Sequence, residues 1–400
     1  MLHRHLKAWL IGLTLAAVVS DSMLLPFYPH FFATVFGVTN PQHVGLYLSA
    51  SCLAVILALP LWARLVRRTG VLNLLVYTQV AAGALCLLCY WTDNLTWFWL
   101  ISMAMLVFKA SYLLIYPLIL ASEHPDRHGG TIGLLSVVVH LGGIAGAVLG
   151  GAVLQWFEPR QIFLVMAASD VLQTATCLYL LRSDSPTPAG PEARPDPTPP
   201  GTPPPPTVPF RLPLGLVMFA FYFSAYLIRP FFVRHWEHVS DHTHELVSGL
   251  VFAIPAGVAV LALWINLRRA TPTPGTGIVP ALVLAAAGLL VQGLDQPGYV
   301  LLGRVLFGWG LFQATVRLDQ LMFALSTLER YAADYSTLNL FQQMGVLVAA
   351  LTAGALVESF GLANPFVVGA AGLVVTAGAY MALVRPLLTL PTPDPARSPS

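Results

Sequence analysis

Among the ionisable side chains inside long apolar stretches of this sequence, seven are candidates for chemistry: Asp21, Lys109, His140, Asp170, Arg229, Arg317 and Asp319. A charge at the centre of a bilayer costs at least about 2.5–3.5 kcal/mol on insertion scales, so such residues are paired or functional by default. A carboxyl exposed first to one side of a membrane and then to the other can load and release a proton. Asp21 is the first candidate for that role, with a static ion pair to Lys109 as the competing reading. Asp170 and His140 are further proton-coupling candidates, and for His140 a packed, hydrogen-bonded side chain competes. Lys109, Arg229 and Arg317 offer positive charge to an anionic substrate. Arg317 alternatively neutralises Asp319, two residues on. Gln313 and Gln343 are candidates for an uncharged polar lining.

Other chemistry is less well supported. His238 and His242 stand four apart in a polar stretch, a spacing that can bind zinc, but a solvated loop explains them as well. No metal site is assigned. Cys86 and Cys89 form a CxxC inside an apolar run with no second pair nearby, and read as small buried hydrophobes. The sequence has no HExxH, GxxxxGK[ST] or GxSxG motif. It is not expected to be an enzyme, to hold a cofactor, or to hydrolyse ATP.

The elements that must position these charges follow from composition. Of the 400 residues, 56% are hydrophobic and 10% charged, and mean hydropathy is +0.73. A water-facing surface cannot be built from so few charges. The net charge of +2, with no basic run beside it, does not point to nucleic acid, and no such partner is expected. Windows long enough to span a bilayer fall near 8–31, 44–64, 71–91, 96–120, 130–155 and 160–181, then near 211–233, 246–267, 277–294, 298–324, 335–357 and 364–385. The basic N-terminal residues precede a first span that is expected to stay uncleaved. With both termini cytoplasmic, fourteen of the twenty Lys and Arg residues face the cytoplasm and only Arg160 and Arg234 lie in outside loops. A multi-pass protein of the cell membrane is expected, in that orientation. Residues 185–209 hold twelve prolines and read as an extended cytoplasmic linker. It separates an N-terminal bundle (1–184) from a C-terminal bundle (210–386), which a cytoplasmic tail (387–400) follows.

The halves repeat at an offset of about 203 residues. Pro26-Phe27 matches Pro230-Phe231, Leu61-Trp62 matches Leu263-Trp264, Asp126-Arg127 matches Glu329-Arg330, and His140 matches Gln343. Gly142, Gly146, Gly150 and Gly151 in span five match Gly345, Ala349, Ala353 and Gly354 in span eleven. A duplicated six-helix unit gives two bundles facing each other across a central cavity, and small residues four apart let helices approach closely.

The chain resembles major facilitator superfamily transporters from end to end. The span-five glycines resemble the glycine motif of the family's exporters, with Ala147 in place of its usual proline. Ala63 to Gly70 resembles the loop between spans two and three. Arg68 and Gly70 fit there, while Arg67 replaces the aspartate that normally forms a salt-bridge latch. Arg304-xxx-Gly308-x-Gly310 resembles the antiporter arginine motif but sits in span ten, not span four. The resemblance implies an all-α membrane fold of twelve helices in two pseudo-symmetric six-helix bundles, working by alternating access. It implies that the first and fourth helices of each half line the cavity, so that Asp21, Lys109, Arg229 and Arg317 sit on cavity-lining helices and Asp170 on a helix at the periphery. It further implies a monomeric, proton-coupled exporter of the drug:proton antiporter type, with a small organic substrate. The stretch from Arg229 to Pro255 is also locally similar to carboxylate siderophore exporters. An importer of a sugar, peptide or organic anion, or a transport-inactive sensor, would use the same fold.

Overall fold

The computed structural model describes residues 2–121, 128–182, 210–241, 244–266, 268, 275–326 and 331–388. The proline-rich segment, Asp126-Arg127, Glu329-Arg330, His242 and the tail beyond Leu388 lie outside the described residues. The rest is helical. Span one comprises α1 (Leu2–Ser22) and α2 (Tyr28–Phe36), and α3 (Pro41–Thr69) and α4 (Val71–Trp91) are spans two and three. Span four runs through α5 (Leu95–Lys109), a 3-10 segment (Ala110–Leu114) and α6 (Ile115–Ala121); α7 (His128–Trp156) and α8 (Ile162–Arg182) follow. The second half contains α9 (Arg211–Tyr226), α10 (Phe232–Ser240), α11 (Glu245–Asn266), α12 (Ile278–Gln292), α13 (Pro297–Leu325), α14 (Tyr331–Phe360) and α15 (Asn364–Ala379). Ten segments are long and apolar enough to cross a membrane, and the two shorter apolar helices, α9 and α12, fall where spans seven and nine were expected. Large apolar side chains such as Leu57 and Val171 stand exposed on the outward faces, as a lipid-solvated bundle requires.

Two boundaries differ from expectation. The loop expected from Ala63 is helical as far as Thr69, with Arg67 and Arg68 in the last turn of α3, where cations favour the helix dipole. The chain then turns at Gly70, whose φ of 76° suits glycine. The polar stretch after Arg234 is also not a plain loop. It forms α10, which buries Phe232, Val233, His235 and Trp236 against the bundle.

The repeat is visible in backbone angles. Proline has no N–H to continue a helix, and the first helix of each half breaks at its Pro-Phe pair. The backbone at Phe27 (φ −110°, ψ 5°) is nearly that at Phe231 (φ −115°, ψ 5°). Span five packs along span one through its glycines: a Cβ at Gly142 would lie 2.8 Å from Val18 Cγ1, and one at Gly146 would lie 2.6 Å from the Val19 carbonyl oxygen. Span eleven meets span seven in the same way at Gly345, 2.5 Å from the Phe219 carbonyl.

The halves touch each other at matching places. Gly151 lies against the Glu245 backbone and Gly249 against Ala147, while Gly354 lies against Pro41 and Gly45 against Ala350. Ser49 Oγ donates to the Leu347 carbonyl at 2.8 Å. These contacts lie at the end of the bundle that carries the connection 37–40 and the start of α11. That end is sealed, and Phe31, Phe32, Phe98 and Phe163 fill the first half beneath it.

Candidate functional site

Two charged assemblies occupy the interior. The first lies within the N-terminal half, where the helix of span four ends at Lys109 and tightens into the 3-10 segment. Lys109 is 3% exposed. Its Nζ donates to Asp170 Oδ1 at 2.7 Å and to Ser20 Oγ at 3.2 Å, and stands 4.0 Å from Asp21 Oδ1. Cys86 Sγ lies 3.4 Å from Asp170 Oδ2.

This arrangement bears on three of the candidates. Asp170 sits on a helix away from the cavity lining, and its carboxyl is fully buried against Lys109. Lys109 is the counter-ion of two carboxylates, so it is not a free cation for substrate. Its tight partner is Asp170, and Asp21 is held more loosely, with 29% of its side chain exposed.

The second assembly lines a cavity of about 360 Å³ between the halves, a volume that suits a drug-sized molecule. Span one contributes Ser22 and Leu25 and span five contributes His140, while the opposite wall comes from spans seven, eight and ten. The His140 ring faces Phe312 across the halves, with centroids 6.1 Å apart, and its Nδ1 lies 2.7 Å from the Ser136 carbonyl. Arg229 emerges where span seven breaks, with its guanidinium 4.9 Å from the centre of the Tyr226 ring. Tyr226 stacks on Tyr222 at 5.6 Å. Asp319 lines the same cavity as Tyr222. No Lys or Arg among the described residues forms an ion pair with it.

Arg304 also reaches the cavity wall, but it has a structural task. Pro255 in α11 has no N–H for the carbonyl of Val251, four residues back. Arg304 Nε fills that vacancy at 3.3 Å, and Nη2 donates to the Phe252 carbonyl. Its guanidinium also lies 3.9 Å from the centre of the Phe232 ring. Gly308 completes the motif, because a Cβ there would lie 2.7 Å from Pro255 Cα, and Gly310 gives room to Ala281 and Ala285.

The remaining candidates lie elsewhere. Arg317 does not meet Asp319: its Nε donates to the Thr276 carbonyl at 3.1 Å and its Nη1 to Gln313. Gln313 also exchanges hydrogen bonds with Asn266 and, like Gln343, is not part of the cavity lining. Arg67 and Arg68 are exposed, and among the described residues neither forms an ion pair. His238 is exposed, and no metal-binding cluster occurs among the described residues. Tyr222 and Tyr226 were missed as lining residues, although their four-residue spacing puts them on one helix face.

Comparison with known proteins agrees with this architecture. Residues 10–328 match the family model described as Major Facilitator Superfamily. A protein of Lactococcus lactis subsp. lactis (strain IL1403), the multi-drug resistance efflux pump PmrA homolog, is 22% identical over 351 residues, covering 84% of each chain. The multi-drug resistance efflux pump PmrA of Streptococcus pneumoniae serotype 4 is also 22% identical, covering 86% of each. Among solved structures, a bacterial homolog of the human lysosomal transporter Spinster, inward-facing and occupied, superposes with a TM-score of 0.78 at 13% identity, over 96% of this chain and 97% of that one. These relatives lend no support to the local likeness to siderophore exporters.

Proposed function

The chain belongs to the major facilitator superfamily and is a multi-pass secondary transporter, and on that premise we propose that it exports a small organic molecule in exchange for protons. The observation that carries this reading is two carboxylates sharing one buried lysine. Lys109 can neutralise Asp170 or Asp21 but not both, so the cluster carries either a net negative charge or a proton. Asp170, fully buried at 2.7 Å, is the permanent counter-ion; Asp21, partly exposed at 4.0 Å, is the proton-exchanging group. Asp21 adjoins Ser22 in the cavity wall, so protonation and substrate occupancy bear on the same helix break. The efflux function named for the relatives supports the outward direction. The basic loops favour cytoplasmic termini, which makes the sealed end the outer one and the described state inward-facing.

The test uses everted vesicles and proteoliposomes with ethidium, a fluorescent aromatic cation. Wild-type protein should accumulate the dye when an imposed pH gradient, acid inside, drives the exchange. Asp21→Asn should lose that accumulation while keeping dye exchange at equal pH, which shows that the variant is folded and binds. Gradient-driven accumulation at the wild-type rate in Asp21→Asn would remove Asp21 from the coupling mechanism.

A further inference from the structure

The charges facing the central cavity point to the kind of molecule it takes. Of the cations expected to meet substrate, Lys109 is committed to Asp170 and Asp21, and Arg317 to Gln313 and the Thr276 carbonyl. Arg304 is committed to the carbonyls that Pro255 disturbs. Arg229 alone of these reaches the cavity without a carboxylate within ion-pair distance among the described residues; its neighbour is the Tyr226 ring. Arg304 lines the same cavity, so both cations of this wall face it. Positive charge therefore accumulates toward the sealed end of an otherwise apolar wall. Leaving it unpaired there is costly unless an anion fills the site.

The opposite charge stands farther along the same cavity. Asp319 has no cationic partner among the described residues, and the uncharged Tyr222 and Thr315 line the cavity with it. Between the two charges run the stacked Tyr222 and Tyr226 rings on one wall, with Phe252 and Phe312 on another. Arg304 and Asp319 stand fifteen residues apart on the continuous helix α13, roughly 22 Å along its axis at 1.5 Å per residue, so the basic and acidic levels of the cavity are well separated.

We infer that the cavity takes an elongated aromatic zwitterion, its anionic group at Arg229 and its cationic group at Asp319. This rests on the transporter reading of the cavity and adds the substrate class. Singly charged aromatic compounds leave one wall charge unmatched. Compact zwitterions such as free amino acids cannot reach both ends.

The test is equilibrium binding to the purified full-length protein in detergent, where neither gradient nor direction matters. The ligands share one core: biphenyl with a carboxylate at one end and an aminomethyl group at the other, the two singly charged biphenyls, neutral biphenyl, and phenylalanine as the compact zwitterion. The biphenyl zwitterion should bind about tenfold tighter than either singly charged compound, a difference of about 1.4 kcal/mol, and phenylalanine should not bind. Arg229→Gln should weaken the zwitterion and the anion but not the cation; Asp319→Asn should weaken the zwitterion and the cation but not the anion. Arg229→Lys and Asp319→Glu should keep the wild-type order, which separates charge from folding. The inference fails if the zwitterion binds no tighter than the singly charged or neutral compounds, or if either neutral variant weakens all ligands alike. Loss of proton-driven transport with this binding order intact would overturn the exporter reading and leave the substrate class standing.

Discussion

Lys109 shows how far one side chain can decide the interior of a half. Removing it leaves Asp170 fully buried without its partner, and breaking a buried pair in this way costs about 3–5 kcal/mol. Lys109→Met should therefore yield little monodisperse protein, with a thermal midpoint well below wild type. Lys109→Met combined with Asp170→Asn should recover much of that loss, because neither charge is then stranded. Thermal unfolding followed by size-exclusion chromatography checks both; a double variant no better than the single one would mean that the pair is not what holds spans three, four and six together. The sequence announced that Asp21, Lys109 and Asp170 needed partners, because a charge in an apolar run demands one. It could not say which, because the pairing joins residues 61 apart on helices whose relative rotation no local pattern fixes. The partner of Arg304 was hidden for the same reason, since the carbonyl it serves is left without a donor by a proline on another helix. Tyr222 and Tyr226 were hidden by abundance, in a chain whose aromatic content is already 11%.

Among the elements, the repeated ones were the most legible. Pro26-Phe27 and Pro230-Phe231 act on the backbone directly, so matching residues give matching breaks without help from tertiary packing. Helix α10 was not legible, because Arg234, Glu237 and His238 make its stretch look like a solvated loop. The structure instead tucks Glu237 beside Ser248, whose Oγ donates to Oε1 at 3.3 Å. Burial, reinforced by Glu245, pushes the Glu237 carboxyl up to about 7 from its ordinary 4.5. The folded state thus holds a proton that the unfolded chain releases above about 4.5. Its stabilising contribution is fully present below that pH and is lost as pH rises through about 7. The thermal midpoint should fall between pH 5 and pH 8, and Glu237→Gln should flatten that fall. An equal pH dependence in the variant would assign it to another group.

At the scale of the whole molecule, the two halves meet where glycines permit it, at Gly151 with Glu245 and at Gly354 with Pro41. A Cβ at Gly151 would overlap the Glu245 backbone across the interface, whereas one at Gly142 meets a Val18 side chain within one half. Gly151→Ala should therefore disfavour the sealed end and shift the population toward the opposite opening, by about five- to thirty-fold for a cost of 1–2 kcal/mol. Cys52 is a natural reporter: it is partly accessible, and the other three cysteines are buried. An impermeant maleimide applied from the sealed side should label Cys52 faster in Gly151→Ala than in wild type, and Gly142→Ala should change this little. Equal rates in all three proteins would show that the interface does not govern access. The bond from Arg304 to Val251 adds a mechanical constraint. Span eight lacks an internal strut at Pro255, and span ten supplies it from outside, so tilting one without the other would expose a carbonyl to lipid and strand a cation. The two helices therefore travel as one lever. Asp319, fifteen residues farther along the same arm, is carried with it, so the cavity's acidic wall moves whenever span eight rocks.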